Sequence, residues 1–65
     1  MEGMWLARDK NGELYLFIDY VAPKKKSNEW IGRLFSTIIE IPKRHFQEIK
    51  WSDEEPTKVK LVIDK

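Results

Sequence analysis

The sequence has no cysteine and a single histidine, so it can form neither a disulfide nor a thiolate metal site, and a histidine cluster has no second member. No apolar run approaches the roughly 18 residues that span a bilayer, and the opening Met-Glu-Gly-Met-Trp-Leu-Ala-Arg-Asp has no basic segment leading into a long hydrophobic one. A cytoplasmic protein that does not enter the membrane is the expectation, and the lack of cysteine agrees with it. Net charge is only +1, which removes the global positive field of many nucleic-acid binders. The three glycines are scattered and form no phosphate cradle, and no serine has a neighbouring base that would activate it.

What remains is aromatic. Three Trp, three Phe and two Tyr are many large rings for 65 residues, and each ring buries roughly 150–250 Å². A chain of this length makes one domain and buries only about 60% of the surface its unfolded form exposes, so the rings must supply much of a marginal core. The charged fraction of 35% is high, but the apolar 42% is patterned rather than sparse, which separates the chain from disordered segments.

The organising stretch is Trp5–Tyr20, where two apolar runs flank Asn11-Gly12, a pair that tolerates the positive φ of tight hairpin turns. Two registers are open. A two-residue Asn11-Gly12 loop, the favoured one, puts Trp5, Ala7, Leu14, Leu16 and Ile18 on one face and Leu6, Arg8, Tyr15 and Phe17 on the other. A three-residue loop with Gly12 as a bulge slips one strand by a residue. In the favoured register the second face carries Tyr15 and Phe17, too apolar to be left fully wet.

Pro23 breaks the second run, and the polar residues that follow predict an exposed basic loop around 22–29. Trp30–Phe35 has no clean period and reads as a short bent strand. Ser36–Ile41 is a β-branched strand stopped by Pro42, and His45, Phe46 and Ile49 have the spacing of a short helical turn near 42–49. Thr57–Ile63 alternates, with Val59, Leu61 and Ile63 inward and Lys58 and Lys60 outward, as in an edge strand guarded by lysines. The fold class expected is mainly β, a small α+β domain: a single, mostly antiparallel sheet of about four strands opening with an N-terminal hairpin.

Asp9-Lys10-Asn11-Gly12-Glu13 superficially has the look of a calcium loop, but the bidentate acid about twelve residues on would be Tyr20, so a plain turn with Asp9 bonding turn amides is the better reading. Asp53, Glu54 and Glu55 share one wet turn, which cannot push their pKa values apart for acid–base work; a surface patch is the simpler account. His45 belongs to no catalytic constellation. No cofactor, no metal and no enzymatic activity are expected.

Two sets of residues remain as candidate sites. Leu6, Tyr15 and Phe17, on the second hairpin face, and Trp30, beside the polar loop, could dock a protein partner or a second copy of the chain. Lys24, Lys25, Lys26, Arg33, Lys43 and Arg44 give the middle a basic character and could neutralise phosphates, with Trp30 or Phe35 stacking on bases. At this charge density a solvated loop is the commoner origin of such a run, so nucleic-acid binding is the alternative and protein binding the first expectation.

The pattern Trp5-Leu6-Ala7-Arg8-Asp9-Lys10, Gly12, Leu14–Phe17, Ile39-Glu40-Ile41, Phe46, Glu48–Trp51, Asp53–Pro56 and Val59-Lys60-Leu61 resembles a group of short uncharacterised proteins from gut bacteria and their prophages. The resemblance brings no activity, because the shared residues are strand, turn and core types. It implies an accessory protein carried on mobile DNA, a setting rich in small modules that bind other proteins.

Overall fold

Asn11-Gly12 turns the chain as part of a three-residue loop. The Gly12 N–H donates to Asp9 O at 2.9 Å, and the Asp9 N–H donates to Glu13 O at 2.8 Å. Gly12 takes the left-handed φ of 93° that closes such a loop with a bulge. The two-residue register is thereby corrected by one residue: Trp5 lies opposite Phe17, Leu6 opposite Leu16, Ala7 opposite Tyr15 and Arg8 opposite Leu14.

The computed structural model describes residues 2–60. Its strands are β1 (Gly3–Arg8), β2 (Leu14–Asp19), β3 (Lys24–Lys26), β4 (Glu29–Ile31), β5 (Thr37–Ile41) and β6 (Thr57–Val59). A four-stranded antiparallel sheet runs β5-β2-β1-β6, and β3 and β4 form a second, two-stranded ribbon. The mainly β fold with its opening hairpin is as expected from the sequence; the second ribbon is additional. Leu61 and Ile63, expected to continue the last strand, lie outside the described residues. Among the described residues no helix is long and apolar enough to cross a membrane.

The slipped register sorts the hairpin into two apolar faces, and each is covered. On the first, Leu6, Leu14 and Ile49 form a buried cluster flanked by Leu16, Ile41 and Val59. Leu14 has no exposed surface, so truncating it would cost roughly 2–5 kcal/mol. On the second, Ala7, Phe17 and Trp30 are buried, with Tyr15 and Trp51 packed against them.

Residues 24–26 are therefore not a loop. Lys26 lies opposite Glu29 across a Ser27-Asn28 turn, in which Ser27 takes φ 27°, and the ribbon lays Trp30 on the second face. Its position is fixed from the first hairpin. The buried Asp9 carboxylate accepts the Trp30 N–H at 2.8 Å, and the Lys10 N–H reaches Asn28 O at 3.1 Å. The Asp9 carboxylate thus serves the neighbouring ribbon while its backbone closes the turn, and burial pushes its carboxyl pKa up.

The helical turn expected near 42–49 is also absent. Phe46 adopts φ 54°, which no right-handed helix admits, and two separate turns form instead, His45 N–H to Pro42 O at 3.0 Å and Ile49 N–H to Phe46 O at 2.9 Å. Carbonyls released from a helix need other donors. Arg8 supplies them: Nε donates to Ile49 O (2.7 Å), Nη1 to Gly12 O (2.8 Å) and Lys43 O (3.1 Å), Nη2 to His45 O (3.0 Å) and Phe46 O (3.2 Å). Every guanidinium N–H is matched to a main-chain oxygen.

Candidate functional site

Tyr20, Val21, Ile31 and Phe46 keep part of their apolar surface exposed, but the largest exposed apolar stretch lies elsewhere. Leu34 and Phe35 are 91% and 87% exposed, and Ile38 and Ile39 on β5 are each nearly half exposed. These residues belong to one stretch, the turn after β4 and the strand it feeds.

The turn is rigidly held. Asp19 ends β2 on the second face, where its buried carboxylate accepts from Arg33 Nη2 and Nε (the latter at 2.9 Å), from Ser36 Oγ at 2.5 Å and from its neighbour Tyr20 N–H at 2.6 Å. Ser36 Oγ also accepts the Arg33 N–H, and Ser36 N–H donates to Arg33 O, both at 3.0 Å, closing the turn around Leu34 and Phe35. The hydrogen bonds from Arg33, then from Ser36, hold the Asp19 carboxyl well below the usual carboxylate range, and the same bond raises the Arg33 guanidinium. Gly32 admits this packing: a Cβ there would sit 3.0 Å from Ser36 Oγ and 3.1 Å from Phe17 Cδ2.

β5 is the edge of the sheet, and its backbone can be oriented from the hairpin. Asp9 and Glu13 form a hydrogen-bonded pair, so along β2 the odd residues Tyr15 and Phe17 aim their N–H and C=O at β1 and the even ones aim at β5. Leu16 meets Ile39 and Ile18 meets Thr37 in that ladder. The alternation leaves Ile38 and Glu40 pointing their N–H and C=O outward, toward no described strand. Between Thr37 and Ile41 the edge has no proline and no lysine, and Glu40 is its one charge. The opposite edge is different: β6 is three residues long and carries Lys58.

The residues singled out from the sequence fall mostly elsewhere. Leu6, Phe17 and Trp30 are buried within the chain and Tyr15 is half-buried, edge-to-face with Phe17 at 6.4 Å between centroids. Leu6, Phe17 and Trp30 are therefore core rather than surface, and of the four only Tyr15 keeps part of its side chain accessible. The register slip and the ribbon cover the second face together.

The cations are likewise dispersed. Lys25 lies over the Trp51 ring at 4.2 Å from its centroid and donates to the Trp51 and Asp53 carbonyls, the latter at 2.9 Å. Arg33 is bound to Asp19, and Lys43 pairs with Glu13 at 3.3 Å. Lys24, Lys26 and Arg44 are exposed with no ion-pair partner among the described residues. The lysines sit on the ribbon that covers the second face, whereas Arg44 belongs to the segment covering the first. No continuous phosphate track joins them.

Sequence reading overlooked Leu34, Ile38 and Ile39 as surface residues and offered Phe35 only for stacking on bases. The available signal was the Ile38-Ile39 pair itself, which gives β5 apolar side chains on both faces where a half-buried strand would alternate. Comparison with protein-family models, with curated proteins and with solved structures finds no match.

Proposed function

We propose that the chain is a non-enzymatic interaction module that binds a protein by strand addition along β5, with Leu34 and Phe35 as apolar anchors beside the new strand. The observation that carries this is the unguarded edge, continuous with a turn that presents two large side chains to solvent at 91% and 87% exposure. An exposed Phe on a flexible loop would lose much of its binding energy to ordering. Here the Asp19–Arg33–Ser36 clamp orders the turn beforehand. A cytoplasmic accessory role, which the resemblance to uncharacterised gut-bacterial and prophage proteins implies, fits a small module of this kind.

Basic residues support the nucleic-acid alternative poorly, because Lys25, Arg33 and Lys43 have intramolecular partners. The test is affinity capture from the source cell with the tagged wild-type chain and with a Leu34→Glu, Phe35→Glu, Ile38→Lys variant of confirmed fold. Proteins recovered by the first and lost with the second are the expected result. Equal recovery with both overturns the reading.

A further inference from the structure

Resting on that reading, we infer that the strand added to β5 is β5 of a second copy, paired antiparallel about a two-fold axis with Ile38 opposite Ile38. The outward-facing residues of the edge, Ile38 and Glu40, restrict the choice, because directly bonded partners across a new ladder must both face outward. A register that puts Glu40 opposite Glu40 sets like charges face to face and is disfavoured. One with Ile38 opposite Glu40 leaves each carboxylate over an apolar side chain and diagonal to its own copy.

Ile38 opposite Ile38 has neither fault. It joins the two isoleucines on the second face, beside Phe17, and sets Thr37 against Ile39 on the first. It also brings Glu40 opposite Ser36 of the second copy. Ser36 Oγ donates to the Asp19 carboxylate that also binds the Arg33 guanidinium, and the Arg33 side chain remains 52% exposed. Glu40 of each copy therefore comes beside the half-exposed Arg33 side chain of the other, and the two-fold axis makes the contact twice. The chain thus carries on one edge the matched apolar, polar and charged groups that an isologous interface requires.

The result is an eight-stranded sheet, β6-β1-β2-β5 continued by its two-fold mate. Contact along one short strand and one turn is small for a protein interface, so dissociation is expected on the order of micromolar.

The experiment is sedimentation equilibrium of the full chain from about 1 μM to 1 mM, with two variants. Glu40 is exposed and its side chain makes no hydrogen bond among the described residues, so Glu40→Lys should fold as wild type and weaken the dimer about tenfold or more. A synthetic chain N-methylated at Ile38 removes only an outward donor and should be monomeric with its circular dichroism unchanged. In a mixed-label sample, an intermolecular contact between the Thr37 and Ile39 α-protons fixes the register. A monomer at every concentration, a dimer indifferent to Ile38 methylation, or an Ile39–Ile39 α-proton contact overturns the inference. The two readings separate cleanly. A monomer that still captures another protein in an Ile38-dependent way overturns the second copy and keeps strand addition, whereas a monomer with no edge-dependent partner overturns both.

Discussion

Replacing Arg8 should reveal how the segment after β5 is held. The guanidinium fills carbonyls from Gly12, Lys43, His45, Phe46 and Ile49, so one side chain does for 42–49 what a helix would have done internally. Of these bonds, those to Ile49 and Gly12 are partly buried and the other three are exposed. Bonds to a charged donor contribute roughly 1.5–3 kcal/mol each where water is excluded, and exposed carbonyls re-solvate at little cost. Arg8→Met should therefore lose roughly 3–5 kcal/mol, against a total near 3–10 kcal/mol for a domain of this size.

Arg8→Lys separates charge from geometry. An ammonium is a point donor that cannot reach carbonyls fanned around a planar fork, so about half the loss, roughly 2 kcal/mol, should remain. In a domain this small that is a fall in Tm of roughly 8–16 °C. Urea unfolding followed by tryptophan fluorescence measures it, with hydrogen exchange at the His45 and Ile49 amides as the local readout. Arg8→Lys within about 0.5 kcal/mol of wild type, with those amides still protected, would refute the account.

Asp19 gives a pH dependence of known sign. Its carboxyl is depressed in the folded state, so its contribution is fully present above the unfolded pKa near 3.9 and is lost as pH falls below it. Asp19→Asn should be less stable than wild type at pH 7, with the gap narrowing in urea titrations from about pH 4 downward. Trp30 is buried with its indole N–H unpaired among the described residues, so Trp30→Phe should change stability by less than about 1 kcal/mol while Trp30→Ala costs roughly 3–5 kcal/mol. Gly12→Ala meets no atom within 4 Å, so its cost should be the left-handed backbone alone, roughly 1–2 kcal/mol by thermal denaturation.

Strand formers and turn residues made β1, β2 and β5 legible in the sequence because their causes are local. The errors arose where the cause is distant. Asn11-Gly12 permits two loops, and the choice between them puts Arg8 on the face where the carbonyls of 42–49 wait for it. Phe46 and Ile49 have helical spacing, yet Phe46 takes a left-handed φ and the carbonyls of the segment accept from Arg8 rather than from helical amides. Lys24–Lys26 has the composition of a loop, and only its pairing with Glu29–Ile31 makes it a strand. The candidate site failed for the same reason, since Trp30 was judged by its polar neighbours in the chain rather than by Asp9, which holds its amide.

That failure bears on where a 65-residue chain can keep a binding surface. A domain this small needs most of its large apolar side chains as core, and the two clusters covering the hairpin use up Leu6, Leu14, Phe17, Trp30 and Ile49. A sheet edge is the cheaper alternative: it offers main-chain hydrogen bonds that the fold does not use and draws little on the core. The two edges here are treated oppositely, β6 short and carrying a lysine, β5 longer, without lysine or proline and with exposed isoleucines. If exposure at β5 were merely tolerated, adding a lysine at Ile38 would improve solubility and leave every association unchanged. If the edge is the working surface, the same substitution should abolish association while the fold persists, and concentration-dependent light scattering of Ile38→Lys against wild type decides between them.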